Sequence, residues 1–114
     1  MNIISKSKST SIRTFTSKTL PNLLSQFKVG DSVEDSASSP LLLLHGLYGS
    51  KKNWTSLAKR LNKELERPII ALDMRNHGES PHILPHDYFS MSKDLLAYLD
   101  IEKISKPVVI GHSM

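Results

Sequence analysis

Ser113 stands in the run Gly111-His112-Ser113-Met114. A serine hydroxyl attacks a carbonyl only when a base takes its proton and the backbone presents it to the substrate. A tight strand-to-helix turn gives that presentation. It crowds its own backbone, so the positions two before and two after the serine must be small, the pattern G-x-S-x-G. Gly111 to Met114 match four of those five positions; taken alone, the cluster reads better as an ordinary loop, because glycine and serine are common at strand ends. Attack on an ester or thioester carbonyl places negative charge on oxygen, and backbone N–H donors aimed at that oxygen lower the barrier by roughly 3–4 kcal/mol. After the run Leu41 to Leu44, His45-Gly46 lets the chain turn so that the Leu47 amide points inward. The Met114 amide is the second donor in this reading. His45, Gly46 and Gly111 then serve as scaffold, while Leu47 and Met114 act through their backbones.

These groups meet only if the segments before them end side by side. "PLLLLHG" is an uninterrupted apolar run, too short for a helix and closed by glycine, which predicts a strand buried on both faces. "NWTSLAKRLNKEL" places Trp54, Leu57, Ala58, Leu61 and Leu65 at helical spacing, with Lys59, Arg60 and Lys63 largely off that stripe. Ser50 or Asn53 can cap its first turn, and Pro68 prevents its continuation. "IIALD" predicts a second buried strand, "DYFSMSKDLLAYLD" a second helix with Met91, Leu95, Tyr98 and Leu99 on one side, and "PVVIG" a third strand. Strands and helices alternating through short links predict an α/β fold, a parallel sheet with crossover helices. Ligands of such sheets gather beyond the carboxyl ends of the strands. Each predicted strand ends in an unusual cluster: "HGLYGS", "DMRNHGES" and "GHSM".

Composition locates the rest. The net charge of +4 would suit a nucleic-acid or membrane binder, but the basicity is confined to one end. Before Asp31 stand Lys6, Lys8, Arg13, Lys18 and Lys28 with no acid; the remainder holds ten basic and eleven acidic residues. Residues 1–24, basic and rich in serine and threonine with scattered apolar positions, read as a mitochondrial presequence, with "RTFTS" resembling a matrix-peptidase cleavage site. A basic terminus carrying no address is the alternative. Residues 25–39 read as a linker, or with "QFKV" as a short edge strand, and 40–114 as the folded part. No nucleic-acid partner is expected, since the folded part has no cationic excess, and no apolar stretch is long enough to span a bilayer. The chain has no cysteine for a disulfide frame or thiolate site. His82 and His86 stand four apart, a zinc-chelating spacing on a helix, but Pro81 and Pro85 oppose that helix and no metal is expected. Trp54 and Met91 are read as core.

In order and spacing, "LLLLHGLYGSKKNW", "ALDMRNHGESPH", "DYFSMSKDL" and "VVIGHSM" resemble the α/β-hydrolase superfamily. They are most similar to its mitochondrial branch of abhydrolase-domain proteins, which includes the yeast ethanol acetyltransferases; "RNHGESPH" is distinctive of that branch. The resemblance covers about Pro40 to Met114 and implies a Ser-His-Asp triad with Ser113 at the nucleophile position. It implies acyl transfer from acetyl-CoA to ethanol, giving ethyl acetate, with ester or thioester hydrolysis when water accepts the acyl group. Acetyl-CoA enters as a substrate and no bound cofactor is implied. The alternative within the resemblance is a mitochondrial hydrolase with no transferase role.

In that superfamily the acid and the base follow the nucleophile in chain order, whereas His45, His77, His82, His86 and His112 all precede Ser113. None of them is assigned as base. Asp73, Arg75 and His77 are read instead as fastening the second loop. The expectation is the leading part of an α/β-hydrolase domain, ending within its nucleophile turn, with the triad acid and base absent from the chain. Without them the polypeptide by itself is expected to show no appreciable turnover, and its third strand is expected to leave an adhesive edge. A non-catalytic remnant that inhibits or pairs with a complete homologue is the reading from a different class.

Overall fold

A computed structural model describes residues 24–113. The presequence reading therefore lies outside the described residues except for Leu24, and so does the proposed donor Met114. The elements run β1 (Gln26–Val29), β2 (Leu41–Leu44), a single 3-10 turn (Lys51–Trp54), α1 (Thr55–Leu65), β3 (Ile69–Leu72), α2 (Tyr88–Ile101) and β4 (Val108–Gly111). They form one four-stranded sheet in the order β1-β3-β2-β4. β2 pairs in parallel with β3 and with β4, in registers that set Leu44 opposite Leu72 and Gly111. β1 is antiparallel to β3, so the expected parallel sheet gains a reversed edge strand from "QFKV".

Side chains on a strand alternate between faces, and the central apolar runs are divided accordingly. Leu41, Leu43, Ile69 and Ala71 pack with Ala58 of α1 on one face. Leu42, Ile70 and Leu72 pack with Met91 and Tyr98 of α2 on the other, joined by Met74, Ile104 and Leu24. Removing each such leucine or isoleucine from water contributes roughly 1.5–3 kcal/mol. The α1 stripe is narrower than expected: Ala58 is buried, whereas Leu57 is 43% and Leu65 50% exposed. Leu57 is rotated about 100° from Ala58, and Leu65 is the last residue of the helix, where Glu66 turns left-handed at φ 53°. β4 is the edge strand that the sequence led us to expect. Its four residues are exposed although β2 and β3 are not, because it lies at the sheet edge with β2 as its sole partner among the described residues.

Capping sets the start of each helical segment. Ser50 accepts from the Lys52 amide while Asn53 accepts from the Ser50 amide, a reciprocal box in which both candidate caps take part. Asp87 caps α2 by accepting from the Ser90 amide at 2.7 Å. The Tyr98 hydroxyl donates to Gln26 Oε1 and so fastens α2 to β1; burial raises its pKa above the ordinary tyrosine value.

A buried ion pair fixes α2 to the loop after β3. Arg75 donates through Nε and Nη2 to the two Asp94 oxygens, at 2.5 and 2.8 Å, and through Nη1 to the Pro85 carbonyl at 2.6 Å. Deleting one member strands the other charge in the interior, which costs more than the pair contributes. Asp94→Ala is expected to lower the unfolding free energy by about 3–5 kcal/mol, read from the urea midpoint at unchanged slope. A loss below about 1 kcal/mol would mean that the clamp is dispensable.

Candidate active site

The chain leaves β2 for β3 on one side and then returns over β2 to β4 on its other side. That reversal makes the carboxyl ends of β2 and β4 a topological switch point, the position where open α/β sheets hold their ligands. The first and third clusters lie there. The His112 amide donates to the Leu44 carbonyl at 3.1 Å and carries the β2–β4 pairing one residue past the strand. Ser113 follows at φ 62°, left-handed and rare for a residue with a side chain. Such strain concentrates at functional turns. A methyl group on Gly46 would sit 2.7 Å from the His112 carbonyl and 3.0 Å from Ser113 Cβ. Glycine at 46 is therefore what lets the first loop reach the serine. At Gly111 the same methyl would meet nothing within 4 Å, so among the described residues the crowding expected there is absent.

The first loop is a tight turn closed by the Gly49 amide on the Gly46 carbonyl at 2.9 Å, with Tyr48 at φ 63°. Among the described residues no hydrogen bond uses the Leu47 amide, which follows Gly46, the residue that approaches the Ser113 turn. The loop's other groups are committed to the chain after β3. His45 Nδ1–H donates to the Gly46 carbonyl at 2.8 Å, and its Nε2 accepts from the Met74 amide at 3.0 Å. His77 repeats the arrangement: Nδ1–H donates to the Arg75 carbonyl at 2.9 Å and Nε2 accepts from the Tyr48 amide at 3.2 Å. These backbone partners fix the tautomers, and the two rings lie 4.8 Å apart. Both nitrogens of each ring are occupied, so neither ring is available as a base. His86 hydrogen-bonds Asn76 and lies 5.7 Å from the His77 ring, outside the helices and just before Asp87, the cap of α2. No histidine hydrogen-bonds the Ser113 hydroxyl among the described residues.

Asp73, fully buried at the end of β3, organises both loops. Oδ1 accepts from the Lys51 amide at 2.7 Å; Oδ2 accepts from the Lys51 ammonium at 2.8 Å and the Glu79 amide at 2.9 Å. Burial opposes ionisation of Asp73, but these donors outweigh it and hold its carboxyl below the ordinary range. Burial likewise opposes charge on Lys51, which its bonds to Asp73 and Glu79 outweigh, so the ammonium pKa is raised. Gly78, at φ 52°, has no room for a methyl, which would fall 2.2 Å from Asp73 Oδ2. Arg75 and His77 fasten the same loop, by Asp94 and by Tyr48. Sequence reading passed over Lys51, Glu79 and Asp94. One signal was available: two lysines at the start of a helical segment, where the dipole disfavours cations, need a local anion.

A cleft of about 190 Å³ opens beside Ser113 between Leu44, Met74, Met91 and Leu95. Another of about 310 Å³ lies on the other side of His112 against Gly46 and Trp54. A third, of about 440 Å³, lies at the amino ends of the strands around Gly30 and Pro68, remote from this chemistry. Among the described residues no group of three or more His, Cys, Asp or Glu side chains is arranged to hold a metal ion, and no helix is long and apolar enough to cross a membrane.

The buried His45 gives the site an acid limit. Its pKa lies below the ordinary 6.5, chiefly through desolvation, with His77 adding repulsion. The unfolded chain therefore takes up a proton before the folded one does. Stability from this group is complete above about pH 6.5 and is lost as pH falls toward its depressed folded value. Asp73, Glu79 and Asp87 have lowered pKa values, so their contributions fail only at more acid pH. Unfolding free energy is expected to decline as pH falls below about 6.5, with the His45 titration followed by NMR lying below that ordinary value. A His45 titration at or above the ordinary value would overturn this assignment.

A family profile for the alpha/beta hydrolase fold matches residues 39–114. A probable alcohol acetyltransferase of Saccharomyces cerevisiae is 42% identical over 90 residues, covering 76% of this chain and 26% of that protein. An sn-1-specific diacylglycerol lipase of Danio rerio is 48% identical over 77 residues, covering 68% of this chain and 24% of the lipase. Among solved structures, a marine microorganism esterase superposes with a TM-score of 0.70 at 37% identity, over 79% of this chain and 32% of the esterase. The chain thus spans about a quarter of the length of the curated relatives it matches. With the switch-point sheet, the strained serine turn and the matched residues 39–114 all in agreement, the chain belongs to the α/β-hydrolase fold family.

Proposed function

We propose that this chain carries the nucleophile and the oxyanion loop of a serine-dependent acyltransferase that moves an acetyl group from acetyl-CoA to ethanol. The observation that supports the reading is the close approach of Gly46 to the Ser113 turn, together with a Leu47 amide that makes no hydrogen bond among the described residues. Ser113 Oγ attacks the thioester carbonyl; the Leu47 and Met114 amides stabilise the oxyanion; the carbon–sulfur bond breaks and the thiolate leaves with a proton. Ethanol then attacks the acyl-serine, giving ethyl acetate and restoring the hydroxyl. The acid and base lie outside the described residues in this proposal, because the paired ring nitrogens of His45 and His77 cannot serve. The likeness to an alcohol acetyltransferase supports the alcohol as acceptor. Hydrolysis, with water in its place, is the second reading and is favoured by the likeness to a lipase.

The test uses the full gene product and its Ser113→Ala variant. A fluorophosphonate probe is expected to label the first and spare the second, with acyl-transfer turnover falling on the order of 10⁴–10⁶-fold; equal labelling would remove Ser113 from the mechanism. Supplied with acetyl-CoA and ethanol, the protein is expected to form ethyl acetate. Acetate alone would favour the hydrolase reading, and neither product the non-catalytic one.

A mitochondrial location belongs to the same proposal and rests on the composition of residues 1–24. Those residues fused to a fluorescent protein are expected to direct it to mitochondria in yeast cells; diffuse fluorescence would remove the address.

A further inference from the structure

Lys51 is the buried cation that the serine chemistry leaves unassigned. It is 7% exposed, and its ammonium bonds three oxygens: Asp73 Oδ2 at 2.8 Å, Glu79 Oε1 at 2.7 Å and Ser25 Oγ at 2.8 Å. Its amide holds the other Asp73 oxygen at 2.7 Å. One residue therefore grips both oxygens of one carboxylate and fixes the carboxylate's rotation as well as its position. The turn that presents Leu47 begins six residues earlier at His45 and ends at this grip. Between them the loop has two further anchors, the ring nitrogens of His45 and His77, both uncharged.

We propose that Lys51 is a positioning residue for acyl transfer, its charged grip on Asp73 setting where the Leu47 amide points relative to Ser113. The inference rests on the serine mechanism proposed above. It adds a residue that touches neither substrate nor the reacting atoms. Glu79 is 74% exposed at its side chain, so its bond to Lys51 is screened and contributes less. Asp73, with 1% side-chain exposure, is the partner that matters. A donor displaced by about 1 Å loses most of its value to the transition state, while substrate affinity in the clefts is untouched. The signature is a fall in kcat at unchanged KM.

The experiment compares Lys51→Met and Lys51→Arg with the parent full gene product, well below the unfolding temperature. Lys51→Met keeps the apolar stem and deletes the charge. It is expected to lower kcat and the rate of fluorophosphonate labelling about tenfold to hundredfold, with KM within about twofold. Amides 47–51 are expected to exchange hydrogen faster. Lys51→Arg, which can still reach both Asp73 and Glu79, is expected to recover most of the rate. If Lys51→Met unfolds, the Lys51→Met, Asp73→Asn double variant removes the unpaired buried charge and takes its place. A kcat equal to the parent's, with only the melting temperature lowered, would make Lys51 structural and overturn the proposal. So would failure of both variants to fold, or a loss confined to KM. Ser113→Ala is run alongside: if it retains labelling, the serine reading fails, an outcome separable from every result for Lys51.

Discussion

A carboxylate buried at the end of a central strand must be given hydrogen bonds, and Asp73 receives three at 2.7–2.9 Å from two different loops. The requirement is severe because desolvating a charge costs several kcal/mol unless it is paired. It dictates local sequence on both sides. The loop after β3 must fold back tightly enough for the Glu79 amide to reach Oδ2, and only a residue without a side-chain carbon fits at Gly78. The loop after β2 must bring Lys51 inward although that residue starts a helical segment. What looks like a set of catalytic motifs is first a solution to one charge in the interior.

The loop after β2 takes its shape from this arrangement. Three of its anchors, at His45, Tyr48 and Lys51, end on Met74, His77 and Asp73 of the second loop. The second cluster is thus the mould of the first. Sheet order supplies the remaining geometry by setting β4 beside β2 and the serine turn beside Gly46. A left-handed serine costs about 1–3 kcal/mol. Pairing of β4 with β2, extended by the His112 amide, offsets that cost.

Period and punctuation made most of the fold readable. The apolar runs before His45 and Asp73 each indicated a strand buried on both faces, and the Met91, Leu95, Tyr98 stripe a helix with one buried face. The serine turn was readable from its residue types, although the crowding that its glycine spacing suggested is found at Gly46 and not at Gly111. What escaped were properties that depend on who sits next to whom. The pairing of β1 with β3 and of β4 with β2 is one, which no local pattern encodes. Lys51 looked like one cation among several on a helix start, because its partners stand 22, 26 and 28 residues away. Arg75 and Asp94, 19 residues apart on different elements, escaped for that reason too. Asp73, Arg75 and His77 were recognisable as loop fasteners by type, while the particular carbonyls and amides they hold were not.

The two histidines of the loops show why residue type alone misleads in such a site. Each donates through Nδ1 and accepts through Nε2, an arrangement that only the neutral ring can make. Protonating either ring would replace an acceptor with a donor facing a backbone N–H, and would set like charges on rings 4.8 Å apart. Desolvation already keeps His45 neutral. The bonds that join the two loops therefore require neutral rings, and acid breaks them by setting a ring N–H against a backbone N–H. The geometry of the loops thus has its own acid limit, set by hydrogen bonds to the backbone and lying below the ordinary histidine range at His45.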